Sequence, residues 1–246
     1  MGYYQKRTSP DLMDGIAVFV SNQRFNVANI EYIKFGEVLK DDRHNVAILV
    51  TLQCVITKQF IVVSNTHLLW NPKRGDIKIN QLDVLFNRIE NILKLRRITH
   101  SSLIMTGDFN ISVNSYIYNY IINGRTAKPS IPLHLMSGQK QSSTNDKSSS
   151  TQFPQKFHSF SLKSAYHPHH DKDGDFISTY HHDGYSLVDF IFYGSLQSEQ
   201  TLLECVKVLK PPPIISLSQL PNDRFPSDHL PQIAYFGFTS ETTSSL

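Results

Sequence analysis

Short runs of apolar, β-branched residues alternate along the chain with stretches of helical spacing. The runs at 15–20, 46–52 and 60–65 are nearly continuous in hydrophobicity, which is typical of inner strands covered on both faces. Across 79–92 the apolar residues recur every three or four positions, which predicts an amphipathic helix. Strands interleaved with such helices predict a layered α/β or α+β domain. Further strands are predicted at 103–105, 187–193 and 233–238, and a second helix at 116–122.

The composition favours one globular domain and excludes several classes of protein. Of the 246 residues, 40% are hydrophobic, which is enough for a sizeable core. The net charge of +3 is too small to identify a polyanionic partner by itself. Two cysteines exclude a disulfide scaffold and favour a reducing compartment. No apolar run reaches the ~18 residues that cross a bilayer, so we expect no membrane partner and a cytoplasmic or nuclear location.

Two polar regions are interpreted as surface loops. The Ser-, Thr-, Gln- and Lys-rich stretch that begins at Ser137 is too polar to join a core. We expect it to form a mobile surface insertion at about 137–156, within a single domain that spans 1–246. The histidines and aspartates between 167 and 182 fit neither an EF-hand nor a zinc site, which favours a solvated loop.

Polar side chains follow or interrupt four of the apolar runs, where a sheet can present them to a ligand. Asp189 lies within an apolar strand and needs a partner, because burying an unpaired carboxylate is costly; we nominate His229. Taken singly, Asp108 is equally typical of an Asx turn, and His67 of a satisfied core histidine. Together the four motifs supply two histidines, three carboxylates and two amides, an inventory typical of a phosphoester-cleaving site. The motifs are Asn65-Thr66-His67, Gly107-Asp108-Phe109-Asn110, Val188-Asp189-Phe190 and Ser227-Asp228-His229.

In this order, the four motifs resemble the signatures of the endonuclease/exonuclease/phosphatase superfamily. The stretches 65–78 and 137–143 are similar to Angel proteins of its deadenylase-like branch, and the similarity runs from about Tyr3 to Phe236. The resemblance implies a two-sheet β-sandwich flanked by helices and a divalent-metal phosphoesterase that acts on RNA ends. It also implies that the first strand, with an active-site Asn, and the next element, with a metal-ligand Glu, are absent. We therefore expect an N-terminally truncated, incomplete domain.

The resemblance also implies roles for individual residues. Asp108 is expected to activate or orient a water molecule, and Asn110 to hold a water or a phosphate oxygen. His229, oriented by Asp189, and His67 are expected to donate hydrogen bonds to phosphoryl oxygens.

The metal and substrate contacts complete the expected site. Asp228 is the expected ligand of Mg²⁺, for which Mn²⁺ is the expected substitute. Trp70 is placed either to stack on a base or to pack under Pro72. Tyr185 lies near, but out of register with, the aromatic residue that deadenylases place before the position of Asp189. The expected substrate-binding residues are Asn65, Trp70, Asn71, Pro72, Lys73, Arg74 and Tyr185.

Two activities on RNA 3′ ends remain open at this stage. One is removal of a 2′,3′-cyclic phosphate, and the other is 3′-exoribonucleolytic removal of poly(A). An inactive fragment that binds RNA or protein and regulates mRNA is a third possibility. An abasic-site DNA nuclease or a lipid phosphodiesterase would use the same chemistry on another substrate. RNA 3′ ends are the expected partner, together with translation or mRNA-decay proteins.

Overall fold

The computed structural model describes residues 1–126, 131–139, 154–166, 176–182, 184–199 and 202–239. These residues form twelve strands and three helices. The strands are β1 (Gly2–Lys6), β2 (Gly15–Phe19), β3 (Phe25–Lys34), β4 (Val46–Cys54), β5 (Phe60–His67), β6 (Ser102–Asp108), β7 (Phe160–Ser164), β8 (Thr179–His181), β9 (Gly184–Ser186), β10 (Asp189–Leu196), β11 (Leu203–Val208) and β12 (Ala234–Phe238). The helices are α1 (Phe35–Leu39), α2 (Gly75–Leu95) and α3 (Tyr116–Asn123).

A six-stranded sheet with the order β3-β4-β5-β6-β10-β7 positions the polar strand ends. Strands β5 and β6 are parallel, so their C-terminal ends meet at one edge, where His67 is in register with Asp108. Strand β10 runs antiparallel to β6 and begins at the same edge, where Asp189 is in register with Asp108. Three side chains that are far apart in sequence thus lie in one row.

The core of the described residues has three parts, of which two lie on opposite faces of the sheet and a small third one contains Leu217 and Leu220. Helices α2 and α3 contribute to the larger part, and α2 buries the predicted apolar stripe that includes Ile79 and Leu85. In β4 the buried side chains alternate between the two faces, since Leu49 packs with the helices and Ile48 with the β1-β2 hairpin. The predicted mixed α/β fold is therefore confirmed. The helices of the described chain are too short or too polar to serve as membrane-spanning segments.

One strand prediction needs correction, and β3 is among the strands that were not predicted. Strand β2 was expected to lie inside a sheet, but its described partner is the single strand β1, and Phe19 at its end is 84% exposed. Strand β3 was not predicted, because Asn26, Asn29 and Glu31 interrupt its apolar residues. Such a pattern suits the position of β3 at the sheet edge, where one side of the strand has no neighbour in the six-stranded sheet.

Ser137 and Lys156, at the two ends of the predicted insertion, both contact the rest of the fold. Ser137 is fully buried, its hydroxyl donates to the Pro72 carbonyl at 2.9 Å, and its own carbonyl accepts from the Ser112 N–H at 2.8 Å. At the other end, the Lys156 Nζ lies 2.8 Å from a carboxylate oxygen of Asp83. The stretch 140–153 and the histidines and aspartates of 167–175 lie outside the described residues.

His158 is a buried imidazole that the fold holds without charge. Its ring stacks on Phe86 with the ring centres 3.9 Å apart. Its Nε2 lies 3.1 Å from the Tyr120 carbonyl, and its Nδ1 accepts from the Phe160 N–H at 3.2 Å, which defines the neutral tautomer with the proton on Nε2. Burial lowers the pKa of His158 to about 4.

This histidine should make the fold sensitive to acid. The unfolded chain binds a proton at His158 near pH 6.5, whereas the folded chain does so only near pH 4, so the stabilisation is complete above pH 6.5 and is lost as the pH falls. We expect the free energy of unfolding to fall by up to about 3 kcal/mol across this window from His158 alone. Urea unfolding at a series of pH values measures the slope.

A matched pair of variants isolates the contribution of His158. His158→Gln should be less stable than the wild type at pH 7, yet should show a flatter dependence on pH between 6.5 and 4. Replacing the exposed His100 with Gln should leave the slope unchanged. Equal slopes for the wild type and His158→Gln would refute the assignment.

Candidate active site

The predicted convergence of the polar motifs is confirmed at the end of the sheet where β5 and β6 finish and β10 begins. Ligand atoms of Asp108, Asp189 and His229 all lie within 4.8 Å of one another. His67 joins them from β5, with its Nε2 3.4 Å from the Oδ2 of Asp108. Four side chains from four separate segments therefore surround one small volume.

The turn after β6 places Asp108 and Asn110. Gly107 has a φ of +133°, and an added Cβ would lie 1.8 Å from the Thr66 carbonyl oxygen, so only glycine permits this approach of β5 to β6. The Asp108 Oδ1 accepts from the Asn110 backbone N–H at 2.8 Å, and its Oδ2 accepts from the Asn110 Nδ2 at 3.0 Å. Asp108 thus forms the Asx turn that its sequence alone would explain. It also faces the group formed with Asp189 and His229.

The environment of Asp108 favours its neutral form. Burial, with the nearby charge of Asp189 as the next cause, raises the pKa of Asp108 to about 7. The side chain remains 16% exposed, so solvent or a ligand can reach it. A carboxyl group with a pKa near neutrality is matched to exchanging a proton with a water molecule at physiological pH.

Asp189 and His229 form the pair that the sequence predicted. The His229 Nδ1 lies 2.6 Å from the Asp189 Oδ2. This hydrogen bond raises the pKa of His229 to about 9, so the ring carries a positive charge at neutral pH. Because Nδ1 is held by Asp189, the other ring nitrogen is left to contact a ligand.

The hydroxyl groups of Ser178 and Thr179, at the start of β8, fix this pair. The Ser178 hydroxyl oxygen accepts from the backbone N–H groups of Val188 and Asp189, each at 3.0 Å. The Thr179 hydroxyl donates to the Asp228 carbonyl at 2.9 Å, and Thr179 also forms a β-bridge with His229. Sequence reasoning missed both hydroxyls, since neither stands in a recognisable motif.

His67 differs from His229 in charge. Burial, followed by the positive charge of Arg7, lowers the pKa of His67. The ring is therefore neutral at physiological pH, while His229 is an imidazolium. The site combines one neutral and one charged imidazole on two sides of a carboxyl group.

A cleft of about 790 Å³ opens in front of Asp108 and His229, whereas His67 and Asp189 stand behind its lining. Its size lies within the range of ~300–1,000 Å³ that is usual for small-molecule sites. Trp70, which is 73% exposed, stands on its wall and is the member of the predicted substrate-binding set that lines it. The other lining residues are Asp108, Asn110, Gln139, Thr179, His181, His182, Ser186, Val188, Leu220, Pro221, Pro226, Ser227, Asp228 and His229.

The remaining predicted substrate-binding residues lie outside this wall. The Asn65 Nδ2 donates to the Ala17 carbonyl at 2.9 Å, because Asn65 lies two residues before His67 on the same face of β5, where the β1-β2 hairpin packs against the strand. Arg74 makes a bidentate pair with Asp76 at 2.9 and 2.8 Å. Asn71 accepts from the Lys73 N–H, Pro72 accepts from Ser137, and the half-exposed Tyr185 lies next to a residue of the wall. None of these six residues lines the cleft.

The donor groups fit a divalent cation in part. Mg²⁺ prefers oxygen ligands and keeps several waters, which suits the carboxylates of Asp108 and Asp189. The His229 ring is protonated at neutral pH, with its Nδ1 held by Asp189, so it offers a cation no lone pair. Asp228, the predicted ligand, is exposed on the cleft wall and does not belong to this group, so its contact with metal stays a prediction.

Comparisons with known proteins agree with this architecture. No family model matches the chain. A crystal structure of ANGEL2, a 2′,3′-cyclic phosphatase, in complex with adenosine-2′,3′-vanadate superposes with a TM-score of 0.80 at 30% identity, covering 96% of this chain and 74% of that one. The chain belongs to the endonuclease/exonuclease/phosphatase superfamily, within its Angel-like deadenylase branch. The resemblance predicted from the motifs is thereby confirmed.

Curated relatives and a second fold neighbour support the same placement. Human protein angel homolog 2 is 27% identical over 96% of this chain and 56% of its own length. A probable CCR4-Not complex 3′-5′-exoribonuclease subunit Ccr4 from Enterocytozoon bieneusi is 26% identical over 94% of this chain and 47% of its own length. The chain thus spans about half the length of the curated relatives it matches. The human Nocturnin catalytic domain, with a TM-score of 0.62 at 22% identity over 97% of this chain and 72% of that one, shares the fold.

Proposed function

We propose that this chain is a divalent-metal-dependent hydrolase that removes 2′,3′-cyclic phosphate from the 3′ ends of RNA, in the cytoplasm or the nucleus. The observation that carries the proposal is the placement of Asp108 beside a neutral His67 and near a charged His229, with Asp108 and His229 both lining one cleft. The similarity to a 2′,3′-cyclic phosphatase supports the choice of substrate.

The chemistry requires two P–O bonds to break. Water first opens the cyclic diester to a monoester, and a second hydrolysis releases inorganic phosphate. Asp108 orients the water and accepts its proton, as its pKa of about 7 permits. His229 donates a hydrogen bond to a phosphoryl oxygen and stabilises the charge that develops there.

The other residues orient these two groups and the phosphate. Asp189 holds the His229 ring at 2.6 Å. Asn110, whose amide now contacts Asp108, is placed to hold water or a phosphate oxygen, and His67 is placed beside the same carboxylate. Mg²⁺, or Mn²⁺ as a substitute, would be held by Asp108 and Asp189, with Asp228 as a further ligand, and would supply Lewis-acid polarisation of the phosphoryl group.

Exoribonucleolytic removal of poly(A) is the second candidate. It is favoured by the similarity to a probable 3′-5′-exoribonuclease subunit and by the exposed indole of Trp70 on the cleft wall. A tail-shortening enzyme needs contacts to successive bases, and an indole supplies one by stacking.

A panel of oligonucleotides distinguishes these functions. One RNA sequence is prepared with a 2′,3′-cyclic phosphate, with a 3′-phosphate and with a 3′-hydroxyl A-tail, and is assayed in Mg²⁺, in Mn²⁺ and with EDTA. We expect metal-dependent loss of the cyclic phosphate with the chain length unchanged. Stepwise shortening of the A-tail would favour the exoribonuclease. RNA binding without turnover would overturn both and favour a regulator that binds RNA or mRNA-decay proteins.

Trp70 should contribute mainly to substrate binding. Loss of a base-stacking contact of about 1–3 kcal/mol predicts that Trp70→Ala raises KM by about 5- to 150-fold with little change in kcat. Trp70→Phe should recover most of the loss, because it restores an aromatic face. Steady-state kinetics on the preferred oligonucleotide tests this, with the exposed Leu95→Ala as control. An unchanged KM for Trp70→Ala would show that the indole does not bind substrate and packs against the protein instead.

A further inference from the structure

Lys78 is a fully buried lysine beneath the candidate active site. It lies in the first turns of α2, and its exposed fraction is 0%. The helical pattern had placed it on the solvated polar face. Its Nζ donates to the Asn110 carbonyl at 2.6 Å and to the Gln139 Oε1 at 2.7 Å. Lysine is almost never fully buried without such partners, so these two contacts account for its position.

The two contacts join three segments of the chain. Lys78 comes from α2, Asn110 from the turn after β6, and Gln139 from the end of the described segment 131–139. Asn110 has a φ of +51°, in the left-handed region that few residues adopt readily. Asp108 holds the N–H of Asn110 and Lys78 holds its carbonyl, so this conformation is fixed from both sides.

The lysine also decides which end of the Gln139 amide faces it. A lysine ammonium group only donates hydrogen bonds, so Gln139 must offer it the oxygen Oε1. The two N–H donors of Nε2 are then turned away from Lys78. Gln139 is half-buried on the wall of the 790 Å³ cleft, together with Asp108, Asn110 and His229. Among the described residues, the hydrogen bond of Gln139 is the one to Lys78.

We propose that Gln139 binds the substrate through its side-chain amide N–H, which donates to an oxygen of the terminal ribose phosphate, and that Lys78 is the positioning residue that orients this amide. The inference deepens the proposed function and rests on it, since it names a contact within the same cleft. The anionic oxygens of a ribose phosphate are the acceptors that an N–H donor on this wall would meet.

Substitutions at Gln139 test the binding contact. Gln139→Glu keeps an oxygen for Lys78 but removes the donor, and Gln139→Met removes both. Each should raise KM about 10- to 100-fold, the range of a lost hydrogen bond to a charged group, with kcat within about threefold of the wild type. Gln53→Met, on the remote strand β4, is the matched control. A wild-type KM in both Gln139 variants would overturn the proposal.

A double-mutant cycle tests the role of Lys78. Lys78→Met should raise KM as Gln139→Met does, and the double variant should be no worse than the poorer single variant, because both changes remove one contact. If the KM increases of the two single variants multiply in the double variant, Lys78 acts only on the stability of the fold and does not position Gln139. Thermal unfolding identifies a Lys78 variant that fails to fold, in which case the two Gln139 variants decide.

A binding assay separates this inference from the proposed function. Fluorescence anisotropy compares one labelled oligonucleotide that ends in a 3′-phosphate with the same oligonucleotide that ends in a 3′-hydroxyl. We expect wild type to prefer the phosphate and Gln139→Met to lose about tenfold or more of that preference. If wild type shows the preference without turnover, the proposed function fails and the contact stands. If the preference survives in Gln139→Met, or is missing in wild type, the contact is refuted.

Discussion

Asp108→Asn is expected to lower kcat on the preferred RNA 3′ end by about 10²- to 10⁴-fold, the usual contribution of a positioned general base. The asparagine keeps an oxygen that can accept from the Asn110 N–H at the position now 2.8 Å away, so the turn after β6 is retained. It loses the charge that accepts a proton from water and that attracts a divalent cation. The fold should therefore survive while turnover is lost.

Single-turnover kinetics with purified protein measures the effect of Asp108→Asn. Thermal unfolding and circular dichroism confirm that the variant is folded. The control is Asp223→Asn, at an exposed aspartate outside the cleft wall, which should retain wild-type kcat. Full activity in folded Asp108→Asn would remove this residue from the mechanism.

Asp189→Asn is expected to change how activity depends on pH. The hydrogen bond to Asp189 is the main cause that raises the pKa of His229 to about 9. Without the carboxylate, the pKa of His229 should fall to about 6.5, because burial lowers it and the charges of Asp108 and Asp228 alone still oppose burial. If charged His229 is required, wild-type activity persists up to about pH 9 and declines above it. The activity of the variant should decline above about pH 6.5, and at pH 8 the loss should be about 30-fold.

Two measurements check this shift. NMR titration of the metal-free protein follows the ring signals of His229, and the pH profile of kcat/KM follows the alkaline limb. The free energy of unfolding of the wild type should also depend on the charge of His229. A raised folded-state pKa stabilises the fold fully below pH 6.5, and this contribution is lost as the pH rises through about 9. If the alkaline limb stays near pH 9 in Asp189→Asn, the charge that Asp189 stabilises on His229 is not needed for catalysis.

The sequence contained the positions of the main site residues, because they end or begin strands. His67, Asp108 and Asp189 each stand next to an apolar run, and strand pairing alone then brings them into one row. The pairing of Asp189 with His229 followed from the cost of an isolated buried carboxylate. These features depend on local pattern and on general energetics, both of which are visible in one sequence.

The missed features depend on contacts between segments that are distant in sequence. Lys78 is charged and stands among polar neighbours, so helical periodicity assigns it to solvent, yet the segment that contains Gln139 covers it. Gln139 was assigned to a loop because of its polar neighbours. Asn65 was placed in the site by its motif, but it lies two residues before the end of β5, where the β1-β2 hairpin covers the face that it shares with His67. Strand direction was predictable, but the packing of a polar segment against a helix was not.

A double-mutant cycle between Asp108 and His229 tests most directly whether they act on one phosphate. The values of kcat/KM are compared for wild type, Asp108→Asn, His229→Gln and the double variant on the cyclic-phosphate oligonucleotide. Substitutions of groups that serve one step have strongly non-additive effects. We therefore predict that the kcat/KM of the double variant is at most about tenfold below that of the worse single variant. Losses that multiply in full, or a wild-type protein without turnover, would contradict the account.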